Sequence, residues 1–234
     1  MGKYYTFKMN IPTSFLVIII ILIVWCWVFT YYHPDLEVAK LNDLMLNKKF
    51  NTGDIILFKA IDNHNAPMIA SYYGHIGIVW IYPDDPQQIP YIFEAANPTG
   101  FTLEEHHNPK GIYLSNLESR LKKYKGYSFY KELRHPIIKE TCEEFEEFIN
   151  YCIENMEYES KVFSNGIRKG IFGEKLNNKT NCGEITFLSL IKLGLINPNE
   201  YENKTFHHLR WMCSITDLQD NYYEEPVKIL FDPF

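Results

Sequence analysis

The hydrophobic period of this chain changes once, near residue 141, and that change limits its architecture more than any other feature. Before it, apolar residues come in short runs separated by turn chemistry. Thr52-Gly53-Asp54 turns the chain into Ile55-Ile56-Leu57-Phe58, a run typical of a buried strand. Residues 76–81 form a second run and 91–95 a third, with Pro83-Asp84-Asp85-Pro86 between them, which predicts a hairpin. Residues 97–110 read as loop, 111–114 and 127–133 as two further strands, and 117–124 as a helical turn between those two. From Thr141 onward Phe145, Phe148, Ile149, Cys152, Ile153 and Met156 follow the i, i+3, i+4 rule, and Thr141 with Glu144 has the spacing of a capping box. A basic, glycine-containing loop follows over 164–179. Residues 185–195 then read as a helix apolar on nearly all sides except Thr186, Ser189 and Lys192. Strands first and helices afterwards is an α+β order, not an alternating βαβ one.

A length of 234 residues suits one domain with an attached segment. The segment is the stretch between Lys8 and His33, which holds no charged residue. Residues 11–32, at about 1.5 Å per residue, are long enough to cross a hydrocarbon core of roughly 30 Å. Trp25, Trp27, Tyr31 and Tyr32 gather at its far end, where amphipathic rings favour the headgroup region. A cleaved signal peptide would need small residues at its end, whereas Tyr-Tyr-His-Pro follows; a retained single-pass anchor is the expectation. The expected organisation is an N-terminal flank (1–10), a transmembrane anchor (11–32), a connector with a partial helical stripe (33–50), a main folded domain (51–198) and a C-terminal extension without clear periodicity (199–234). Lys3 and Lys8 before the span bias the N-terminus to the cytosol.

The net charge of −6 and the absence of a basic stripe exclude a nucleic-acid footprint. Cys142 and Cys152 lie on one predicted helix about 15 Å apart along its axis, too far for a bridge, so the chain is not a disulfide scaffold. Asn178 and Asn203 head Asn-Lys-Thr sequons, which alone would suit a lumenal structural glycoprotein. A glycan on Asn178 would crowd Cys182 and argues against that setting.

Three residues carry candidate chemistry. Asn181 is a favourable N-cap and Glu184 three residues on suits a capping box, so Cys182 falls at the first helical position. There the helix dipole and free N–H groups favour a thiolate and offer oxyanion donors; the plain alternative is a small buried apolar residue. His75 opens the second strand, where it is either a base or a strand-edge histidine satisfied by solvent. Gly77, two residues on and on the same face, leaves room for another group to approach the ring. Glu94 is a charge inside Tyr-Ile-Phe-Glu-Ala-Ala and must be paired, with His75 across the hairpin or with Arg120, Arg134 or a lysine. The pairs His106-His107 and His207-His208 lack a matching Cys or carboxylate spacing, and no metal site is expected.

His75 followed by Ile-Gly-Ile-Val, the Glu94-Ala95 strand, and Asn181-Cys182-Gly183-Glu184 heading an apolar helix resemble the circularly permuted NlpC/P60 papain-like superfamily, in particular its YiiX-like branch, which includes poxviral members. The Gly53-Asp54 turn before an apolar strand is similar to the opening of that family's domain, and the resemblance runs over about residues 52–196. Gly74 stands where that family usually has Ser, and Asn181 and Gly183 replace Tyr and Ser. The resemblance implies a small antiparallel sheet packed on helices, Cys182 as nucleophile, His75 as base and Glu94 as orienting group, with no cofactor. It implies a thiol hydrolase acting on an amide, peptide or (thio)ester bond through an acyl-enzyme, which the anchor expected at 11–32 would tether to a membrane. The alternatives are a lipid acyltransferase of the same fold, or an inactive membrane-tethered binding or assembly protein. The expected partners are a viral or host bilayer and a peptide, lipid or lipidated-protein substrate.

Overall fold

A computed structural model describes residues 36–60, 74–97, 110–135, 137, 139–159, 178–195 and 222–231. The expected span at 11–32, the histidine pairs and Asn203 lie outside them. Among the described residues no helix is long and apolar enough to cross a membrane.

The strands are β1 Val38–Lys40, β2 Ile55–Ala60, β3 His75–Trp80, β4 Tyr91–Ala95, β5 Ile112–Asn116, β6 Gly126–Lys131, β7 Glu157–Tyr158, β8 Lys179–Thr180 and β9 Val227–Leu230. The helices are α1 Leu41–Leu46, α2 Leu117–Lys123, α3 Lys139–Asn155 and α4 Cys182–Lys192. Seven strands form one sheet in the order β1-β9-β6-β2-β3-β4-β5, and β7 pairs with β8 in a separate two-stranded ribbon. The fold is α+β. β3 and β4 form the expected antiparallel hairpin, with Ile78 opposite Phe93 and Trp80 opposite Tyr91.

The central strands are apolar throughout because both faces of the sheet are covered. Alternate residues point to opposite faces. Ile55, Leu57, Ile76, Ile78, Trp80, Phe93 and Phe129 join one core with Phe145, Ile149 and Cys152 of α3 and Ile185, Phe187 and Leu190 of α4. Ile56, Phe58, Val79, Ile92, Tyr130 and Ile229 join a second core with Leu41 and Leu44 of α1 and Leu117 and Leu121 of α2. Phe145 is fully buried and meets Trp80 edge-on at 5.3 Å between ring centroids.

Two expectations are corrected. The sheet is larger than the small antiparallel one expected and is not wholly antiparallel, since β1 runs parallel to β9. The long helix begins at Lys139 rather than Thr141, which places Thr141 inside its first turn. Lys139 and Glu140 are good helix formers, so nothing in their chemistry delays the start.

The entry to β2 is tied down by Gly53 and Asp54. Gly53 takes φ +94°, a backbone conformation that favours glycine, and its N–H donates to the Val79 carbonyl at 2.9 Å. Asp54 is fully buried. It accepts from the backbone N–H of Asn51 at 2.6 Å and of Leu133 at 2.8 Å, which joins the turn to the chain leaving β6. The Tyr130 hydroxyl lies 3.0 Å from Asp54 Oδ2 and 2.9 Å from the Lys49 carbonyl, with one proton to donate. An Asp54 that keeps its own proton donates to Tyr130 and leaves the Tyr130 proton for Lys49, so both acceptors are satisfied.

Burial pushes the Asp54 carboxyl up to about 7, against the backbone N–H bonds that favour its ionised form. The folded state therefore holds this proton at pH values where the unfolded chain, with a carboxyl near 3.9, releases it. The stability it contributes is full below about pH 4 and is lost as the pH rises toward about 7. Asp54→Asn removes this titration. The variant is expected to show a shallower decline in urea midpoint between about pH 4.5 and 7.5 than the parent chain. Parallel pH profiles for the two proteins would contradict the assignment.

Candidate active site

The site is assembled where the N-terminus of α4 meets the first residues of β3. Asn181 is in an extended conformation and its side chain accepts the Glu184 N–H at 3.0 Å, so it is the N-cap and Cys182 is the first helical residue. The segment leading into Asn181 is held by β7 and β8, and the Glu159 N–H donates to the Thr180 carbonyl at 2.7 Å. Thr186 and Ser189 are buried on α4. Their hydroxyls donate to the Cys182 and Ile185 carbonyls, each at 2.8 Å, so the polar stripe is satisfied within the helix.

His75 lies opposite Phe58 of β2, with ring centroids 5.4 Å apart, and its side chain keeps 18% exposure. The β3–β4 ladder covers 78–80 with 91–93; His75 and Glu94 lie beyond it, toward the start of β3 and the end of β4. Glu94 has no solvent exposure. Its Oε2 is 2.5 Å from His75 Nε2. Its Oε1 accepts from Arg120 Nε at 2.6 Å and its Oε2 from Arg120 Nη2 at 3.2 Å. This is the two-pronged fit of a guanidinium to a carboxylate. The Arg120 guanidinium also lies 4.6 Å over the Phe58 ring and 5.4 Å from that of Tyr124. Of the partners weighed for Glu94, His75 and Arg120 are both present. Arg134 is elsewhere, paired at 3.2 Å with exposed Glu224.

Gly77 acts by letting β4 come close. A Cβ there would stand 2.6 Å from Ile92 Cδ1 and 3.2 Å from Glu94 Cβ. The neighbour that uses the space is the Ile92–Glu94 segment, not a further group reaching over the imidazole.

Cys182 is the third member of the array. Its sulfur is hydrogen bonded to the His75 side chain and receives the backbone N–H groups of Ile76 and Gly183. With Nε2 engaged by Glu94, Nδ1 is the ring nitrogen left for the sulfur. Burial works against a thiolate here, but His75 and then the two N–H groups outweigh it and bring the thiol below its ordinary range. For His75, burial disfavours the cation, while the Cys182 thiolate and then Glu94 raise it to about 9. Burial also pushes Glu94 up, and Arg120 followed by His75 reverse that, so it stays ionised. The three directions agree on a thiolate–imidazolium pair beside an ionised carboxylate.

The remaining described cysteines differ. Cys142 and Cys152 are buried and not in a disulfide, and burial raises the Cys152 thiol to about 12. Sequence reasoning gave Arg120 no more than an alternative pairing role and did not single out the Ile76 N–H or Tyr158. Tyr158 on β7 is kept protonated by burial and then by the charge of Cys182. The signal for Arg120 was available: an arginine on a short amphipathic helix between two buried leucines, Leu117 and Leu121. Among the described residues no group of three His, Cys, Asp or Glu could hold a metal ion.

No family model matches the chain, and no curated protein matches it. Among solved structures it is similar to the crystal structure of the metalloprotein yiiX from Escherichia coli O157:H7, with a TM-score of 0.40 and 16% sequence identity. The match covers 60% of this chain and 64% of that one, so it spans less than two thirds of the neighbour's length. The likeness is weak, and the chemistry of the site stands on its own geometry.

The Gly77 contact has a measurable consequence. Gly77→Ala forces Ile92 and β4 aside, at a cost of about 1–3 kcal/mol in stability, and carries Glu94 with it. The variant is expected to unfold at lower urea and to alkylate Cys182 more slowly near neutral pH. Unchanged values for both would show that β4 does not depend on the missing side chain.

Proposed function

We propose that this chain is a thiol hydrolase that cleaves an amide, peptide or (thio)ester bond through Cys182, His75 and Glu94. The observation that supports this most is the continuous array in which the Cys182 sulfur meets His75 and His75 meets a fully buried Glu94. A nucleophile, a base and a group that orients the base are the parts that covalent acyl transfer requires.

In the resting site His75 holds the proton and Cys182 is the thiolate. The sulfur attacks the carbonyl carbon, and the carbonyl oxygen takes up the displaced electron pair. The Cys182 backbone N–H, at the first position of α4, would stabilise that oxygen, where the helix dipole adds to it, since the Gly183 and Glu184 N–H groups already serve the sulfur and the Asn181 cap. The imidazolium gives its proton to the departing amine, alcohol or thiol as the tetrahedral centre collapses to a thioester. Water then attacks the thioester, His75 accepts its proton, and the acid is released with the thiolate restored. Glu94 holds the ring through Nε2 during both transfers and balances the imidazolium charge. An alcohol or amine in place of water in the last step would make the same site an acyltransferase.

The tether is part of the proposal. Its support is the uncharged stretch between Lys8 and His33, long enough to cross a bilayer, which would keep the site close to lipid or lipid-bound substrates.

The test is a covalent one. Incubation of the full chain with an aryl thioester is expected to leave an acyl group on the peptide containing Cys182, seen by mass spectrometry. Cys182→Ala should lose both that adduct and turnover, and His75→Ala should lower turnover by about 10²–10⁴-fold. Turnover of Cys182→Ala at the parental rate would overturn the proposal.

A further inference from the structure

We propose that Arg120 is a positioning residue of this site, one whose guanidinium clamps Glu94 and whose positive charge makes the assembled array electrically neutral; this rests on the thiolate–imidazolium reading of Cys182 and His75. A thiolate, an imidazolium and a carboxylate together carry one net negative charge. All three are largely removed from water, where an uncompensated charge is costly. Arg120 supplies the missing cation. It is itself buried, grips both carboxylate oxygens, and lies over the faces of Phe58 and Tyr124. It acts on the array through Glu94.

The placement follows from the fold. Asn116 caps α2 by accepting the Ser119 N–H at 3.0 Å, and Leu117 and Leu121 bury the helix in the second core. Arg120, between those leucines, is thereby directed at the end of β4. The titratable groups facing Glu94 are His75 from β3, Arg120 from α2, Tyr124 at the end of α2, and Tyr113 opposite it on β5. Burial raises both tyrosines, with the Glu94 charge adding to it at Tyr113 and the Arg120 charge opposing it at Tyr124 without reversing it, so both are neutral in the working range. Among the described residues Arg120 is therefore the fixed cation facing this carboxylate.

Removing that charge leaves the array negative, and the site relieves this by holding one more proton. Whether that proton rests on Glu94 or on Cys182, the thiolate–imidazolium–carboxylate state forms at higher pH. Lysine keeps the charge but loses the two-pronged grip and the flat stacking on Phe58 and Tyr124. Charge and geometry can therefore be separated.

The experiment is the pH dependence of iodoacetamide alkylation at Cys182 in the full chain, read by peptide mass spectrometry for the parent, Arg120→Met, Arg120→Gln and Arg120→Lys. Near-UV circular dichroism sets the folded fraction, and unfolded molecules alkylate as a separate phase with an ordinary thiol profile. In the parent the acid limb is expected below the ordinary thiol value of about 8.5. Arg120→Met or Arg120→Gln, whichever folds, should move that limb up by about one pH unit, whereas Arg120→Lys should hold it near the parental position. A merely structural arginine would lower the folded amplitude in every variant and leave the limb where it was. An unmoved limb in a folded neutral variant would overturn the role of Arg120 while leaving the thiol-enzyme reading intact. A parental limb already at the ordinary thiol value would instead defeat that underlying reading.

Discussion

A carboxylate without solvent sits at the end of β4, and the arrangement around it depends on its being ionised there. Isolating a charge of this kind costs several kcal/mol, so Glu94 is stable as an anion only with partners on both sides. Arg120 from α2 and His75 from β3 are those partners. Together they draw a helix on one face of the sheet and two of its strands into one electrostatic unit. His75 in turn carries the polarity across to Cys182 on α4, whose apolar side packs on the other face. The site thus spans the sheet, and each of its charges answers another.

The sheet makes this possible through a local departure from regularity. Most of β2, β3 and β4 is sandwiched between two apolar cores, which fixes register because a slip of one residue would exchange the faces. The β3–β4 ladder spans 78–80 with 91–93, and the reacting groups are placed past its end. There the Ile76 N–H reaches a sulfur, and Gly77 lets Ile92 and Glu94 lie close. Asp54, at the entry to β2, anchors the opposite end of β3, with Val79 N–H donating to its carbonyl at 2.7 Å. Regular packing fixes the strands, and the irregular end admits the chemistry.

Much of this was legible in the residues. Two-sided burial writes itself as continuous apolar runs, so β2, β3 and β4 and their hairpin were readable, and the N-cap at Asn181 located Cys182 to the residue. The two strands at the β1 end of the sheet were not. Val38–Lys40 is too short to show a period, and Val227–Leu230 buries only Ile229 fully, so no alternation marks it; both exist because the sheet offers them a partner. Glu94 announced that it needed a partner but not which one. Choosing between Arg120 and Arg134 requires the direction of α2, which follows from the packing of Leu117 and Leu121 in three dimensions. That the β3–β4 ladder stops short of Ile76, leaving its N–H for the sulfur, has no side-chain signature and could not be read in advance.

The central claim is that His75 is a cation held between a thiolate and a carboxylate. Nitrogen NMR of the full chain labelled with ¹⁵N-histidine, with the resonance assigned by comparison with His75→Gln, tests it directly. At about pH 7 an ordinary histidine is mostly neutral. The account predicts that both ring nitrogens of His75 are protonated at that pH and that the ring loses its proton only near the raised value of about 9. A neutral ring at about pH 7, with one protonated nitrogen and an ordinary titration, would contradict it.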